Sequence, residues 1–206
     1  RYLETLTVLK DKNFIKVATG VRRCGKSTLM TQFQDLLRKD NSKVPILVIN
    51  MDMPDFRFLA EKNWKEIYDY IIKHLKKNAT NYVFLLSSEL ATLLTGRAYE
   101  INVLPFSFAE YLEFTGKDSN PDRAFAEFVR TGGFPEAVRL SAEGNHFANE
   151  YLQMVFKNIY DNDISKRYTI YGEEAYQEVV NFLIDSVGSS VSAGNIAKVL
   201  TANKKK

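Results

Sequence analysis

The hydrophobic positions of this chain change period several times, and the changes mark out its elements. From Phe14 to Thr19 a short β-rich run leads into Gly20, and beyond Ser27 the residues Leu29, Phe33, Leu36 and Leu37 recur at helical spacing. The predicted order is strand, glycine loop, helix. Val44 to Ile49 is an apolar run rich in β-branched side chains, the pattern of a strand buried on both faces of a parallel sheet. Trp64, Ile67, Ile71, Ile72 and Leu75 then form an apolar helical stripe. A strand through Tyr82–Leu86, a helix through Leu90–Leu94 and a strand through Tyr99–Leu104 follow, with Pro105 closing the last strand.

Alternation of this kind predicts a three-layer α/β domain with a parallel sheet. After Pro105 the pattern is helical only: Phe108, Tyr111 and Leu112; Phe125, Phe128 and Val129; Tyr151, Val155 and Ile159; Val179, Leu183 and Val187. Gly188–Gly194 is small and polar, and a short helix over Ile196–Leu200 runs into the lysine tail Lys204–Lys206. The expected domains are 1–105, a nucleotide-binding domain; 106–187, an all-helical domain; and 188–206, a short final segment.

The 206 residues suffice to bury a core. No stretch approaches the roughly 20 apolar residues that span a bilayer, and Arg1–Lys10 lacks the apolar centre of a secretory signal, so a cytoplasmic location without membrane contact is expected. The single cysteine, Cys24, excludes an intrachain disulfide and reads as a small loop residue. A formal charge of +3, with 25 acids among 28 bases, does not mark a nucleic-acid binder.

The chemistry lies in Gly20-Val-Arg-Arg-Cys-Gly-Lys-Ser27, which matches G-x-x-x-x-G-K-[ST] between a predicted strand and a predicted helix. Glycines let the backbone turn its N–H groups toward phosphates, and the helix adds the positive end of its dipole. Gly20, Val21, Arg22, Arg23, Cys24, Gly25, Lys26, Ser27 and Thr28 are therefore the expected cofactor-binding residues, and ATP is the expected ligand. Lys26 would bring its charge to the β and γ phosphates, and the Ser27 hydroxyl would be a ligand for Mg²⁺. His74 and His146 have no metal-ligand spacing and read as surface or packed histidines; Glu89 reads as a helix-dipole partner.

The segment Gly20–Leu29, with Leu85–Arg97, Val103–Phe108, Glu110–Phe114 and Gly132–Pro135, resembles the prokaryotic AAA-type ATPases over nearly the whole chain. The resemblance implies a nucleotide-binding domain, a helical lid, a winged-helix segment and often a nuclease-like tail. It implies that Gly133-Phe-Pro135 is a lid motif packing Pro135 against adenine, where the residues alone allow a plain turn. It also implies that Arg97 reaches a γ-phosphate as a catalytic partner of Lys26, where the bland reading is a solvated surface arginine.

One feature of the family is not found. A Walker B strand ending in Asp-Glu is expected between the Trp64 helix and Leu85-Leu-Ser-Ser-Glu, yet Tyr82–Leu86 ends in Ser87-Ser88. Lys76–Asn81 reads as a join across a missing segment, and more of the winged helix is expected beyond Lys206. Asp52 is an alternative magnesium-associated acid, or a turn residue before Pro54. The expected function is thus an ATP- and Mg²⁺-dependent switch, an ATPase where an acid is supplied. The alternatives are a non-hydrolysing, nucleotide-gated module for a protein or DNA partner, and a small-molecule P-loop kinase. DNA rests on Ser192–Leu200 resembling the start of a winged helix, the protein partner is unspecified, and an oligomer is compatible.

Overall fold

The computed structural model describes residues 1–51, 53–56, 59, 64–86, 98–165, 168 and 172–203. The chain divides into two compact units, Arg1–Leu152 and Gln153–Lys206. In the first, helix α1 (Tyr2–Leu9) precedes strand β1 (Ile15–Thr19), helix α2 (Lys26–Asp40) and strand β2 (Ile46–Asn50). A 3-10 turn (Pro54–Phe56), helix α3 (Trp64–His74) and strands β3 (Tyr82–Leu86) and β4 (Ala98–Asn102) follow. Helices α4 (Phe108–Thr115), α5 (Pro121–Thr131) and α6 (Pro135–Ser141) then lead to α7 (Asn145–Ile159), along which the first unit ends.

All strand pairing among the described residues is parallel. β1 pairs with β4, with Ile15 opposite Ala98 and Thr19 opposite Asn102; β2 pairs with β3, with Ile46 opposite Tyr82 and Asn50 opposite Leu86. The strands thus form two pairs, β1–β4 and β2–β3, and no ladder between the pairs is found among the described residues.

The period of two along a strand explains the layers. Ile46 and Val48 of β2, with Tyr82 and Phe84 of β3, pack with Leu6 of α1 and Leu29, Phe33 and Leu37 of α2. Leu47 and Ile49, with Leu85, belong instead to a second cluster with Ile67, Tyr70 and Ile71 of α3. β2 and β3 are therefore covered on both faces, as their uninterrupted apolar runs require, and Ile49 is completely buried. Mixed α/β structure with parallel strands is compatible with a P-loop NTPase fold.

The α4–α6 region has a core of its own, Tyr111, Ala124 and Val138 with Phe106, Phe108, Leu112 and Phe128 around them. Its helix ends are set by sequence. Ser107 caps α4 through a complete capping box: its hydroxyl accepts from the Glu110 N–H, and the Ser107 N–H donates to the Glu110 carboxylate at 2.9 Å. Asn120 caps α5, and prolines begin α5 and α6, where a missing N–H costs no helical bond.

The second unit begins inside α7 and continues through a π-helical turn (Tyr160–Ile164), helix α8 (Glu173–Asp185) and helix α9 (Ala193–Asn203). Tyr160 and Phe156 meet Tyr176 at ring-centroid separations of 4.5 and 6.4 Å. The sequence pattern extends the α8 stripe to Val187, but the helix ends at Asp185 and Val187 is 84% exposed. That last valine continues the hydrophobic period without continuing the helix.

Candidate nucleotide-binding site

The loop between β1 and α2 is held by close backbone contacts. Gly20 has φ +134°, and a Cβ there would lie 2.1 Å from the Val103 carbonyl oxygen, so the position excludes every side chain. Val103 in turn donates its N–H to Thr19 O at 2.8 Å, extending the β1–β4 alignment by one residue. The residue after β4 thereby fixes the point at which the loop leaves the sheet.

Cys24 is 3% exposed and joins the core beside Leu29, Ile101 and Val103. It anchors the middle of the loop as a small buried side chain. Val21, Arg22 and Arg23 on one side of it, and Ser27 and Thr28 on the other, are exposed. Arg23 has φ +67°, a left-handed conformation that ordinarily costs a non-glycine residue about 1–2 kcal/mol.

Lys26 opens α2, and its ammonium turns back over the loop, donating to Gly20 O at 2.9 Å and Val21 O at 2.8 Å, with Cys24 Sγ at 3.9 Å. These partners are neutral, so no carboxylate offsets the charge there among the described residues. Three cations, Arg22, Arg23 and Lys26, lie between Gly20 and Gln34, and the first acid after the loop is Asp35. The first turn of α2 has no acidic residue and Gly25 provides no side-chain cap, so its leading N–H groups remain for an external acceptor. This donor set suits a phosphate group.

Ser27 lies exposed in the first turn of α2. The four described strands end on Thr19, Asn50, Leu86 and Asn102, none of them a carboxylate. No group of three His, Cys, Asp or Glu side chains suited to a metal occurs among the described residues. His74 stacks on Tyr70 with its Nδ1 2.7 Å from Tyr70 O, and His146 packs on Phe147, so neither is arranged as a ligand. Asp52, Glu89 and Arg97 lie outside the described residues.

The Gly-Gly-Phe-Pro segment approaches this loop. Phe106 donates its N–H to Gly133 O at 2.7 Å, and a Cβ on Gly133 would meet Phe106 O at 2.3 Å, so the turn before α6 is tied to the end of the chain segment leaving β4. Pro135, the first residue of α6, then comes so near that a Cβ on Gly25 would lie 3.7 Å from its Cγ. The sequence singles out Gly133-Phe-Pro135 but not Glu136. Glu136 is held below the usual carboxylate range by hydrogen bonds from Arg139, by the charge of Arg139 and by that of Arg23. Burial raises the Tyr151 hydroxyl above its ordinary value, while Arg23 acts in the opposite sense and Glu136 reinforces the rise.

Residues 12–85 match the family model described as an AAA domain, and residues 122–206 match a model described as a domain of unknown function (DUF8612). The first match supports an AAA-like P-loop nucleotide-binding domain. The chain is similar to an uncharacterized protein of Haemophilus influenzae, 32% identical over 240 aligned positions that cover 98% of this chain and 59% of that protein. It is also similar to the uncharacterized protein MJ1544 of Methanocaldococcus jannaschii, 27% identical over 225 positions, 91% of this chain and 50% of the relative. The chain thus spans about half to three-fifths of the length of these curated relatives. The first alignment has at least 34 more positions than this chain has residues, since 240 exceeds 206. No solved structure matches the chain. No helix among the described residues is long and apolar enough to cross a membrane.

Proposed function

We propose that this chain is an ATP-binding switch of the AAA type, in which filling the Gly20–Ser27 loop with Mg²⁺-ATP alters the seating of the α4–α6 lid. The observation that carries the reading is the unneutralised Lys26 ammonium, bonded to Gly20 O and Val21 O, at the start of α2. On ligand binding, Lys26 exchanges these carbonyls for phosphate oxygens and α2 presents its free N–H groups to the same anion. Ser27 offers its hydroxyl as the protein ligand to Mg²⁺, which would balance phosphate charge and take its remaining ligands from phosphate and water. Pro135 would pack against the adenine, a role supported by the nearness of its Cγ to Gly25. Arg97 retains its proposed role toward the γ-phosphate on the resemblance alone.

The absence of a carboxylate at the ends of the four described strands favours a second reading, a nucleotide-gated module that binds ATP without hydrolysing it. The join expected at Lys76–Asn81, across a segment that would carry a strand and its acid, belongs to the same proposal, and the pairing of strands in twos among the described residues is compatible with it. The expected domains, 1–105 for the nucleotide, 106–187 for the lid and 188–206 for the start of a winged helix, belong to the same proposal. So do the cytoplasmic location, the unspecified protein partner and the oligomer.

Phosphate release from Mg²⁺-ATP, measured on the chain and on Lys26→Ala, separates the two readings. A steady release abolished by the substitution would establish hydrolysis and refute the non-hydrolysing module. Saturable binding with no release above the mutant's background would establish the module. A lack of ATP binding would refute both.

A further inference from the structure

The four residues that follow β4 tie three other parts of the fold together through their main-chain amides. Val103 N–H donates to Thr19 O of β1 at 2.8 Å, and Leu104 N–H donates to the Tyr2 hydroxyl of α1 at 3.1 Å. Phe106 N–H donates to Gly133 O in the turn before α6 at 2.7 Å. Pro105, between the last two, has no N–H and a nearly fixed φ, so it stiffens the segment where it crosses from α1 to the lid. Tyr2 supplies the one side-chain partner among these bonds. Its ring packs with Leu3 and Leu6 in the cluster that holds Leu29 and Phe33 of α2, so the phenol is anchored against the helix that begins with Lys26.

The same segment meets the phosphate loop at one end directly and at the other through the lid. Val103 O fills the space beside Gly20, where a Cβ would lie 2.1 Å from it, and Phe106 O fills the space beside Gly133, where a Cβ would lie 2.3 Å from it. Two residues beyond Gly133, the Cγ of Pro135 borders Gly25. The contacts thus run in a circuit from Gly20 to Val103, from Phe106 to Gly133, and from Pro135 back to Gly25. Lys26, the next residue, closes the circuit inside the loop by donating to Gly20 O at 2.9 Å. A ligand that takes Lys26 away from Gly20 O therefore acts at both points where the circuit touches the loop.

Resting on the nucleotide-binding reading above, we propose that Tyr2 is a positioning residue for the nucleotide site, its hydroxyl holding Val103–Phe106 so that occupancy of the loop is transmitted to the lid turn. When phosphate oxygens fix the loop, Gly20 and Gly25 lose freedom together, and the Phe106–Gly133 bond between them opens less often. By linkage, whatever keeps that bond closed also tightens the nucleotide. Leu104 is 52% exposed, so without the hydroxyl its N–H turns to water. The segment then gains freedom at its middle, and the loop and the lid turn respond separately.

The test is hydrogen exchange of single amides with and without saturating Mg²⁺-ATP, on the parent, Tyr2→Phe and Tyr82→Phe, with calorimetric titration of the same proteins. Tyr82→Phe is the control: it also removes a phenol hydrogen bond, to Asp11 Oδ1 at 2.9 Å, but at the start of β3 and ahead of β1, away from the loop. In the parent, Mg²⁺-ATP should slow exchange at Phe106 by about fivefold or more, the lower range of coupling between sites, as well as at the first amides of α2. In Tyr2→Phe it should still slow the α2 amides but no longer Phe106, and the Kd should rise by about two- to tenfold, the range of one neutral hydrogen bond. Tyr82→Phe should respond as the parent does. A Phe106 response that persists in Tyr2→Phe, an equal loss in both variants, or an unchanged Kd in Tyr2→Phe would overturn the proposal. The parent decides by itself as well. If it binds Mg²⁺-ATP through Lys26 and Phe106 is not slowed, this inference alone fails; if it binds no nucleotide, the P-loop reading fails with it. Thermal melting monitored by circular dichroism verifies that both variants are folded.

Discussion

Replacing Gly20 by alanine tests the backbone frame that shapes the phosphate loop. A Cβ at this position would lie 2.1 Å from Val103 O, whereas a carbon approaches a carbonyl oxygen at about 3.3 Å or more. Relief requires a movement of about 1 Å, and Val103 cannot retreat freely because its N–H holds Thr19 O at 2.8 Å. Losing that bond costs about 0.5–1.5 kcal/mol. Holding alanine at φ +134° adds about 1–3 kcal/mol, so the substitution should cost about 1.5–4.5 kcal/mol in all. Gly116→Ala is the control, because Gly116 also has positive φ, +65°, but a Cβ there meets nothing within 4 Å. Urea denaturation followed by circular dichroism gives both values from midpoints at matched slopes. A cost for Gly20→Ala no greater than that for Gly116→Ala would refute the close-contact argument.

Three further outcomes follow from other parts of the fold. Ile49 is completely buried between β2 and α3, so Ile49→Ala should cost about 2–5 kcal/mol and Ile49→Val about 0.5–1.5 kcal/mol; equal costs would contradict tight packing there. Ser107→Ala removes the α4 cap and should cost about 1 kcal/mol in the same denaturation assay. The Glu110 carboxyl is lowered chiefly by the Ser107 N–H, so its contribution is complete above the ordinary carboxylate range near 4.5 and is lost as pH falls through the lowered native value. The penalty of Glu110→Gln should therefore shrink on acidification, and a constant penalty from pH 7 to pH 3 would show that the box adds nothing through the Glu110 charge. Cys24 is 3% exposed, so its thiol should react with a disulfide reagent only as fast as the chain opens; instant labelling of the folded protein would place it outside the core.

Much of the fold is legible because its signals are local. The β-branched run ending at Ile49 specifies a strand that must be covered on both faces, and β2 does place Ile46 and Val48 on one face, Leu47 and Ile49 on the other. The glycine loop between a strand and an apolar helical stripe is recognisable from the P-loop spacing, whereas Cys24 reads in the sequence only as a small loop residue and its burial is a tertiary fact. Two helices are not legible in the same way. α1 is obscured because its apolar stripe is short, only Tyr2, Leu3 and Leu6 packing into the main cluster. α6 is only seven residues long and begins at Pro135, so its sequence reads equally as a turn.

The site is legible only where its residues are contiguous. Lys26, Ser27 and the glycines are given by spacing, but the turning of Lys26 onto Gly20 O and Val21 O is a tertiary detail. Pro135, and Glu136 after it, are drawn toward the loop by the bond between Phe106 and Gly133, and no periodicity carries that information. Charged residues on a helix face ordinarily signal solvation, as the exposed Lys117, Arg123 and Glu127 group illustrates. Glu136 differs from them in directly following Pro135, whose Cγ borders Gly25.

The central claim is that the Gly20–Ser27 loop binds a nucleoside triphosphate through Lys26, and calorimetric titration of Mg²⁺-ATP into the parent chain and into Lys26→Ala tests it directly. The account predicts saturable, one-site binding by the parent that weakens at least tenfold in the variant, the loss of one charge-assisted phosphate contact. Equal binding by both proteins would place the nucleotide elsewhere, and no binding by a folded parent would contradict the account.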